Sequence, residues 1–303
     1  MEDSRLVVSA ATEPGTVRET NEDSVHMSTV PLLTTVSTDV DSSNSTGELS
    51  VIAVADGMGG YQRGEVASHM AIEALIERLG SADTNDLVLM LKQAFRLANE
   101  RIYAGGSVEG EHNMMGTTLV AGLINGTEIA IGNVGDSRAY LVRANSLTQI
   151  SQDHSLVAEQ VAMGAMTAQE ARDSQHRNII TRALGHRQRV EADFYELTLL
   201  PDDRLLLSTD GLHDFVDEEE MRQIMLREEP EAAARTLVAR ALELGSTDNV
   251  SALCAWMAPI SVLERPVVEA REPVGASTGR IAVLALIGLI IIIAIAAYVL
   301  FIA

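Results

Sequence analysis

Val51-Ile52-Ala53-Val54-Ala55-Asp56-Gly57 and Leu205-Leu206-Leu207-Ser208-Thr209-Asp210-Gly211 are two short apolar runs, each closing on Asp-Gly. Runs of this length bounded by glycine read as strands buried on both faces. A third acid, Asp248, stands in Thr247-Asp248-Asn249 directly before the run Val250–Trp256, and Asn21-Glu22-Asp23 lies near the N-terminus. A sheet built from these strands brings the acids at their ends together. Converging carboxylates repel one another, so they imply cations between them. Oxygen donors without Cys or clustered His favour Mg²⁺ or Mn²⁺.

Outward from these strands, helices and strands come in blocks. Ala67, Ala71, Leu75 and Leu79 recur every fourth residue in a helix over 64–79 that Gly80 ends. A second helix over 86–103 aligns Leu87, Leu91, Ala94, Ala98 and Ile102 on one face. Strand-like runs follow at 117–124, 129–134 and 139–142, the first two joined by Asn125-Gly126, a hairpin signal. Residues 155–172 read as helical, broken at Gly164, with a capping box at Thr167-Ala168-Gln169-Glu170. Later helices are predicted over 217–226 and 231–244, and the Ser/Thr/Asp-rich stretch 34–50 reads as a long hairpin loop. Hairpins between strands, with helices grouped in pairs, predict an α+β fold of antiparallel sheets covered by helices, not a doubly wound parallel sheet.

The chain has 303 residues, is 47% hydrophobic and only 3% aromatic, so aliphatic side chains and Met must fill a large core. A net charge of −21, with Lys92 the sole lysine, lacks the basic footprint of a nucleic-acid binder. Cys254 stands alone, which excludes an intrachain disulfide and a Cys-based zinc site. Met1–Arg5 has neither a basic nor an apolar leader pattern, so no secretory signal is expected. Residues 281–303 carry no charge and are long enough to cross a bilayer as a helix. Pro259, Pro266 and Pro273, with Gly275 and Gly279, mark residues 259–280 as a linker, which leaves 1–258 as one globular domain. Arg265, Arg271 and Arg280 precede the span. The positive-inside rule then predicts a single-pass protein of the cell membrane with its main domain in the cytoplasm.

Asp56 is followed by Gly57-Met58-Gly59-Gly60. Glycines there let backbone approach an ion or phosphate without a clashing Cβ, and the Gly57 carbonyl is itself a hard oxygen donor. An isolated Asp-Gly is ordinarily a turn; two after buried strands, together with Asp248 and Glu22, point to one shared site.

The chain resembles the metal-dependent protein serine/threonine phosphatase family (PPM, type 2C). The matching segments are Arg18–Asp23, Asp56–Gly60, Gly116-Thr117-Thr118, Val134-Gly135-Asp136-Ser137-Arg138, Thr181–Gly185, Ser208–Leu212 and Thr247-Asp248-Asn249. Weak singly, they are specific in this order and cover roughly residues 5–257. The resemblance implies an α-β-β-α sandwich with a metal site at one end of the paired sheets. It implies that Asp56 bridges two ions, Mn²⁺ or Mg²⁺. Asp210 and Asp248 complete one of them. Glu22 and the Gly57 carbonyl serve the other, and Asp23 supports both through bound water. Asp136 joins Asp210 at a weaker third ion, which Asn178 in the adjacent flap could reach, and Asn249 orients its neighbour. Arg18 is the implied ligand of the substrate phosphate, because a guanidinium grips two phosphate oxygens at once.

The implied reaction is hydrolysis of phosphoserine and phosphothreonine in proteins by a water bridging two metals, opposing a serine/threonine protein kinase in signalling. Residues 153–182 match the family's flap. Met58 stands where many eukaryotic relatives place a His proposed as general acid, whereas bacterial relatives commonly carry Met. His154 and His176 read as structural or solvated. Two competing readings are a catalytically inactive phosphoprotein-binding relative and a two-metal small-molecule phosphoesterase. Retention of Asp56, Asp210, Asp248 and Arg18 speaks against the first.

Overall fold

The computed structural model describes residues 4–31, 48–59, 63–82, 84–108, 111–112 and 115–260. The loop predicted at 34–50, for all but its last residues, and the span predicted at 281–303 lie outside the described residues. The described residues all belong to one compact unit within 1–260. Among the described residues no helix is long and apolar enough to cross a membrane.

In chain order the unit contains β1 (Ser4–Glu13), β2 (Ser24–Pro31), β3 (Glu48–Ala55), β4 (Gly57–Met58), α1 (Arg63–Gly80), α2 (Leu87–Gly105), β5 (Ser107–Val108), β6 (Glu111–His112), β7 (Gly116–Thr117), β8 (Leu119–Asn125), β9 (Glu128–Val134), β10 (Arg138–Arg143), β11 (Ser146–Gln149), α3 (Leu156–Ala162), α4 (Ala168–Arg172), β12 (Asp193–Thr198), β13 (Arg204–Ser208), α5 (Asp210–His213), α6 (Glu218–Arg227), α7 (Pro230–Glu243) and β14 (Val250–Pro259). Among the described residues two five-stranded sheets form, β1-β14-β13-β10-β11 and β12-β9-β8-β3-β2, together with the ribbons β4-β7 and β5-β6. The pairings within both large sheets are antiparallel.

Three apolar layers explain why the central strands are nearly continuous in hydrophobicity. Leu49, Val51, Ala53 and Ala55 of β3 pack against α1 and α2. The alternate residues Ile52 and Val54 meet Leu205, Leu207, Leu253 and Ala255 of the other sheet. Tyr140, Leu206, Val250, Ala252 and Cys254 pack outward against α6 and α7. Both faces of the central strands are therefore covered, as the continuous apolar runs require. This is the helix–sheet–sheet–helix order expected from the sequence. Leu75 of α1 is fully buried in the first layer. Leu75→Ala is expected to cost about 3 kcal/mol, read as a lower urea midpoint at unchanged m-value.

The sequence signals find every central strand and none of the four sheet edges. β1, β11, β2 and β12 are those edges, and their residues are mostly half-buried or exposed. A strand covered on one side has no strong apolar run for pattern reading to detect. Helix ends agree closely with prediction: Asp86, Thr167 and Asp217 cap their helices through side-chain bonds to Leu89, Glu170 and Glu220 backbone N–H groups. The capping box at Thr167 and Glu170 is present, and Gly164, at φ +70°, separates α3 from α4. Pro259, expected to open the linker, is instead the last residue of β14, opposite Ser4.

Candidate active site

Antiparallel register gathers the acids at one end of the two sheets. In one sheet Ser208 lies opposite Arg138 and also opposite Ala252. Asp210, Asp136 and Asp248, each two to four residues beyond these positions, therefore leave or enter at the same end. In the other sheet Ser24 lies opposite Ala55, which brings Asp23 and Asp56 together.

Asp56 is held by its own backbone. Its N–H donates to Thr118 Oγ1 at 2.9 Å, and its carbonyl accepts from the Thr118 N–H at 2.9 Å and the Thr117 hydroxyl at 2.7 Å. Burial pushes the Asp56 carboxyl well above the usual carboxylate range, and the charges of Asp23, Asp210, Asp136 and Asp248 add to the shift. Asp210 lies within hydrogen-bonding reach of Asp56 and is pushed up to about 7, by burial first and then by Asp214 and Asp248. Asp136 is raised for the same reasons, with Asp210 the largest neighbouring charge.

Asp23 is buried, and one of its oxygens, Oδ2, accepts from the Ser251 hydroxyl at 2.6 Å and the Thr209 hydroxyl at 3.0 Å. Burial nevertheless raises it to about 7, against the lowering by these two donors. Its other oxygen, Oδ1, is buried without a partner, as is Asp210 Oδ1. An orphaned buried carboxylate oxygen carries a desolvation penalty that only a proton or a cation removes.

Glu22 and Asp248 are joined by Asn249. The buried Asn249 side chain accepts from the Glu22 N–H at 2.8 Å and donates to the Thr20 carbonyl at 2.9 Å and the Pro14 carbonyl at 3.0 Å. Its backbone N–H donates to Asp248 Oδ1 at 2.9 Å. Asn249 thus ties Asp248 to Pro14, Thr20 and Glu22 of the loop between β1 and β2. On that loop Arg18 donates to Asp248 Oδ2 at 3.0 Å, with both side chains partly exposed. Gly57 donates its N–H to the Glu22 carbonyl at 3.2 Å. A Cβ there would lie 2.2 Å from the Gly64 carbonyl oxygen, so only glycine lets β4 meet the start of α1.

The structure therefore brings Arg18, Glu22, Asp23, Asp56, Gly57, Asp136, Asp210, Asp248 and Asn249 to one region. Asn178 is exposed on the flap and makes no hydrogen bond to the acids among the described residues. His154 is structural: it is buried, its Nδ1 accepts from the Gly135 N–H at 3.2 Å, and its Nε2 faces Asp193 Oδ2 at 3.1 Å. Burial holds it below the usual His range, hence neutral. His176 is exposed. Sequence reasoning missed Thr118, Thr209, Ser251 and Asp214. Thr118 and Thr209 lie within the family-matching segments without a role of their own there, and the only trace of Ser251 is a small hydroxyl side chain at the start of an otherwise apolar strand.

The donor set suits hard divalent cations: it consists of oxygen, carries excess negative charge, and includes two unsatisfied buried oxygens. Among the described residues no three His, Cys, Asp or Glu side chains stand close enough to hold an ion without adjustment.

The protein phosphatase 2C family model matches residues 37–243. The serine/threonine phosphatase stp of Listeria welshimeri is 36% identical over 208 residues, 67% of this chain and 82% of the relative. The serine/threonine protein phosphatase PstP of Mycobacterium tuberculosis is 36% identical over 251 residues, 82% of this chain and 45% of that longer protein. A crystal structure of the mycobacterial PstP matches with a TM-score of 0.71 at 35% identity, covering 84% of this chain and 99% of that one. A second structure, of the PstP catalytic domain in complex with two manganese ions, matches with a TM-score of 0.68 at 34% identity, covering 84% and 98%. With that fold, that gathering of acids and that breadth of match, the chain belongs to the protein phosphatase 2C (PPM) family and is a metal-dependent serine/threonine protein phosphatase.

Proposed function

We propose that Asp56, Asp210, Asp248, Glu22 and the Gly57 carbonyl hold two divalent cations, Mn²⁺ or Mg²⁺. Asp136 with Asp210 would take a weaker third, with Asn178 of the adjacent flap as a further candidate ligand. The supporting observation is the set of buried and half-buried carboxylates at one end of the sheets, raised in pKa and including two orphaned oxygens. When bound, the cations acidify the attacking water and neutralise charge on the phosphoryl oxygens.

The chain's own residues do the rest. Thr209 and Ser251 keep Asp23 Oδ2 fixed, so that Oδ1 faces its task in one orientation. Asn249 locks the Glu22 backbone and Asp248 in register with each other. Arg18, anchored on Asp248 at the exposed rim, presents a planar fork to a phosphate monoester. Met58 has no proton to donate and His154 is committed to Gly135 and Asp193. We assign the proton for the leaving alkoxide to water at the site.

Residues 1–259 would form the catalytic domain, 260–280 the linker and 281–303 a membrane helix that tethers the domain at the cytoplasmic face. A tether raises the local concentration of membrane-bound phosphoproteins, including a serine/threonine kinase that the enzyme would oppose. The decisive experiment follows phosphate release from a phosphothreonine peptide by the full chain, with Mn²⁺ and with EDTA. Turnover is expected only with the cation. Undiminished turnover in EDTA would sink the assignment of these acids.

A further inference from the structure

The chain carries a net charge of −21, yet Ser174–Val190 contains Arg177, Arg182, Arg187, Arg189, His176 and His186 and no acid at all. Two of these arginines are paired with acids of the fold. Arg177 pairs with Asp214 at 3.2 Å and Arg182 with Asp193 at 3.4 Å. Arg187 and Arg189 are exposed, and among the described residues neither has a carboxylate partner. Beside them His186 is exposed as well.

This basic turn is placed by structure. The buried Asn99 side chain of α2 donates to the Arg187 carbonyl at 3.0 Å and the Gln188 carbonyl at 3.1 Å, and accepts from the Gly185 N–H at 2.9 Å. Immediately before it, Leu184 exchanges backbone bonds with Thr117 at 2.9 and 3.1 Å. Thr117 in turn lies opposite Gly57 in the β4–β7 ribbon. The order Gly57, Thr117, Leu184 is thus a backbone ladder leading from the acids to the basic turn. Two strand spacings make it about 10 Å across.

We propose that Arg187 and Arg189 form a second anion subsite, which selects phosphoprotein segments carrying another phosphate or an acidic residue near the phosphoresidue being hydrolysed. An extended peptide advances about 3.3 Å per residue, so a ladder of about 10 Å places the second anion at least about three residues away. Leaving two cations unpaired in so acidic a chain suits a partner whose charge arrives with the substrate. Elsewhere the acidic surface repels such substrates, so a local positive turn also orients them on approach. The subsite rests on the phosphatase reading and adds substrate choice to it.

The test uses the full chain with Mn²⁺ and three substrates: p-nitrophenyl phosphate, a singly phosphorylated peptide, and the same peptide with a second phosphate three to five residues away on either side. The wild type is expected to prefer one doubly phosphorylated peptide by about fivefold in kcat/KM, mainly through KM, and to lose the preference near 1 M salt. Arg187→Glu with Arg189→Glu should bring the ratio to one or below and leave p-nitrophenyl phosphate turnover unchanged. Arg187→Gln with Arg189→Gln should fall between. An unmoved ratio in both variants overturns the proposal, as does an equal loss on all three substrates. Charge-dependent binding to anionic phospholipid vesicles with an unmoved peptide ratio would overturn it in favour of a lipid contact. Absence of p-nitrophenyl phosphate turnover in the wild type would instead count against the catalytic site.

Discussion

Asp210→Asn is expected to lower kcat/KM for a phosphothreonine peptide by about a thousandfold or more at saturating Mn²⁺. An amide carries no charge and offers one oxygen where the carboxylate offers two. Asp210 also stands within hydrogen-bonding reach of Asp56 and opposes its charge most directly after Asp23. The same substitution should have the opposite effect on stability when cations are removed. Burial with Asp214 and Asp248 raises Asp210 to about 7 from an ordinary 3.8. A carboxyl raised in this way favours the fold while protonated. Its contribution is full below about pH 4 and is lost as pH rises through about 7. In EDTA at pH 8 the wild type therefore holds a buried charge that the variant lacks, and Asp210→Asn should melt higher. Near pH 4 the two should converge, while the buried histidines affect both alike. With Mn²⁺ the order should reverse, because only the wild type gains the full binding energy. Paired thermal melts at pH 4 to 8, with and without Mn²⁺, read both signs. Turnover within tenfold of wild type, or a lower melting point for the variant in EDTA at pH 8, would count against the site as drawn.

Gly57→Ala is expected to destabilise the unit by about 3 kcal/mol, the upper end of the overpacking range, and to abolish turnover with it. The added Cβ would lie 2.2 Å from the Gly64 carbonyl oxygen, 2.3 Å from the Gly64 carbonyl carbon and 2.5 Å from the Glu22 carbonyl oxygen. All three are backbone atoms, so no side chain can rotate away. Relief requires moving the start of α1 or the Glu22 loop, and either move pulls Glu22 from Asn249. Gly80 is the control, because a Cβ there meets nothing within 4 Å at the end of the same helix. Gly80→Ala should be neutral or slightly stabilising, since alanine restricts the unfolded chain more than glycine. Urea unfolding of the two variants separates a steric cost at Gly57 from a general intolerance of α1. Equal midpoints would contradict the close approach of β4 to α1.

The central strands and the helices were legible in the sequence because their signals are local. Val51–Ala55 and Leu205–Leu207 are continuous runs because both faces are covered. Asp86, Thr167 and Asp217 announce helix starts through bonds made three residues away. The acids were legible too, since each sits at the end of such a strand within a recognisable segment. What no local pattern carries is who meets whom across the chain. Asp23 finds Thr209 and Ser251 at separations of 186 and 228 residues, and Arg18 finds Asp248 at 230. The sheet edges β1, β2, β11 and β12 are half-covered and so lack the apolar run that marks a buried strand. Arg187 and Arg189 look like any surface charges until Asn99 and the Gly57–Thr117–Leu184 ladder tie the backbone of their turn to the strand that carries Asp56 and Gly57. Burial is written residue by residue in hydropathy, so the sequence alone determined the layers, the family and the acids. Register between strands distant in sequence exists only once the sheets close, so the tertiary structure alone decided which oxygens stay orphaned and which cations stay unpaired.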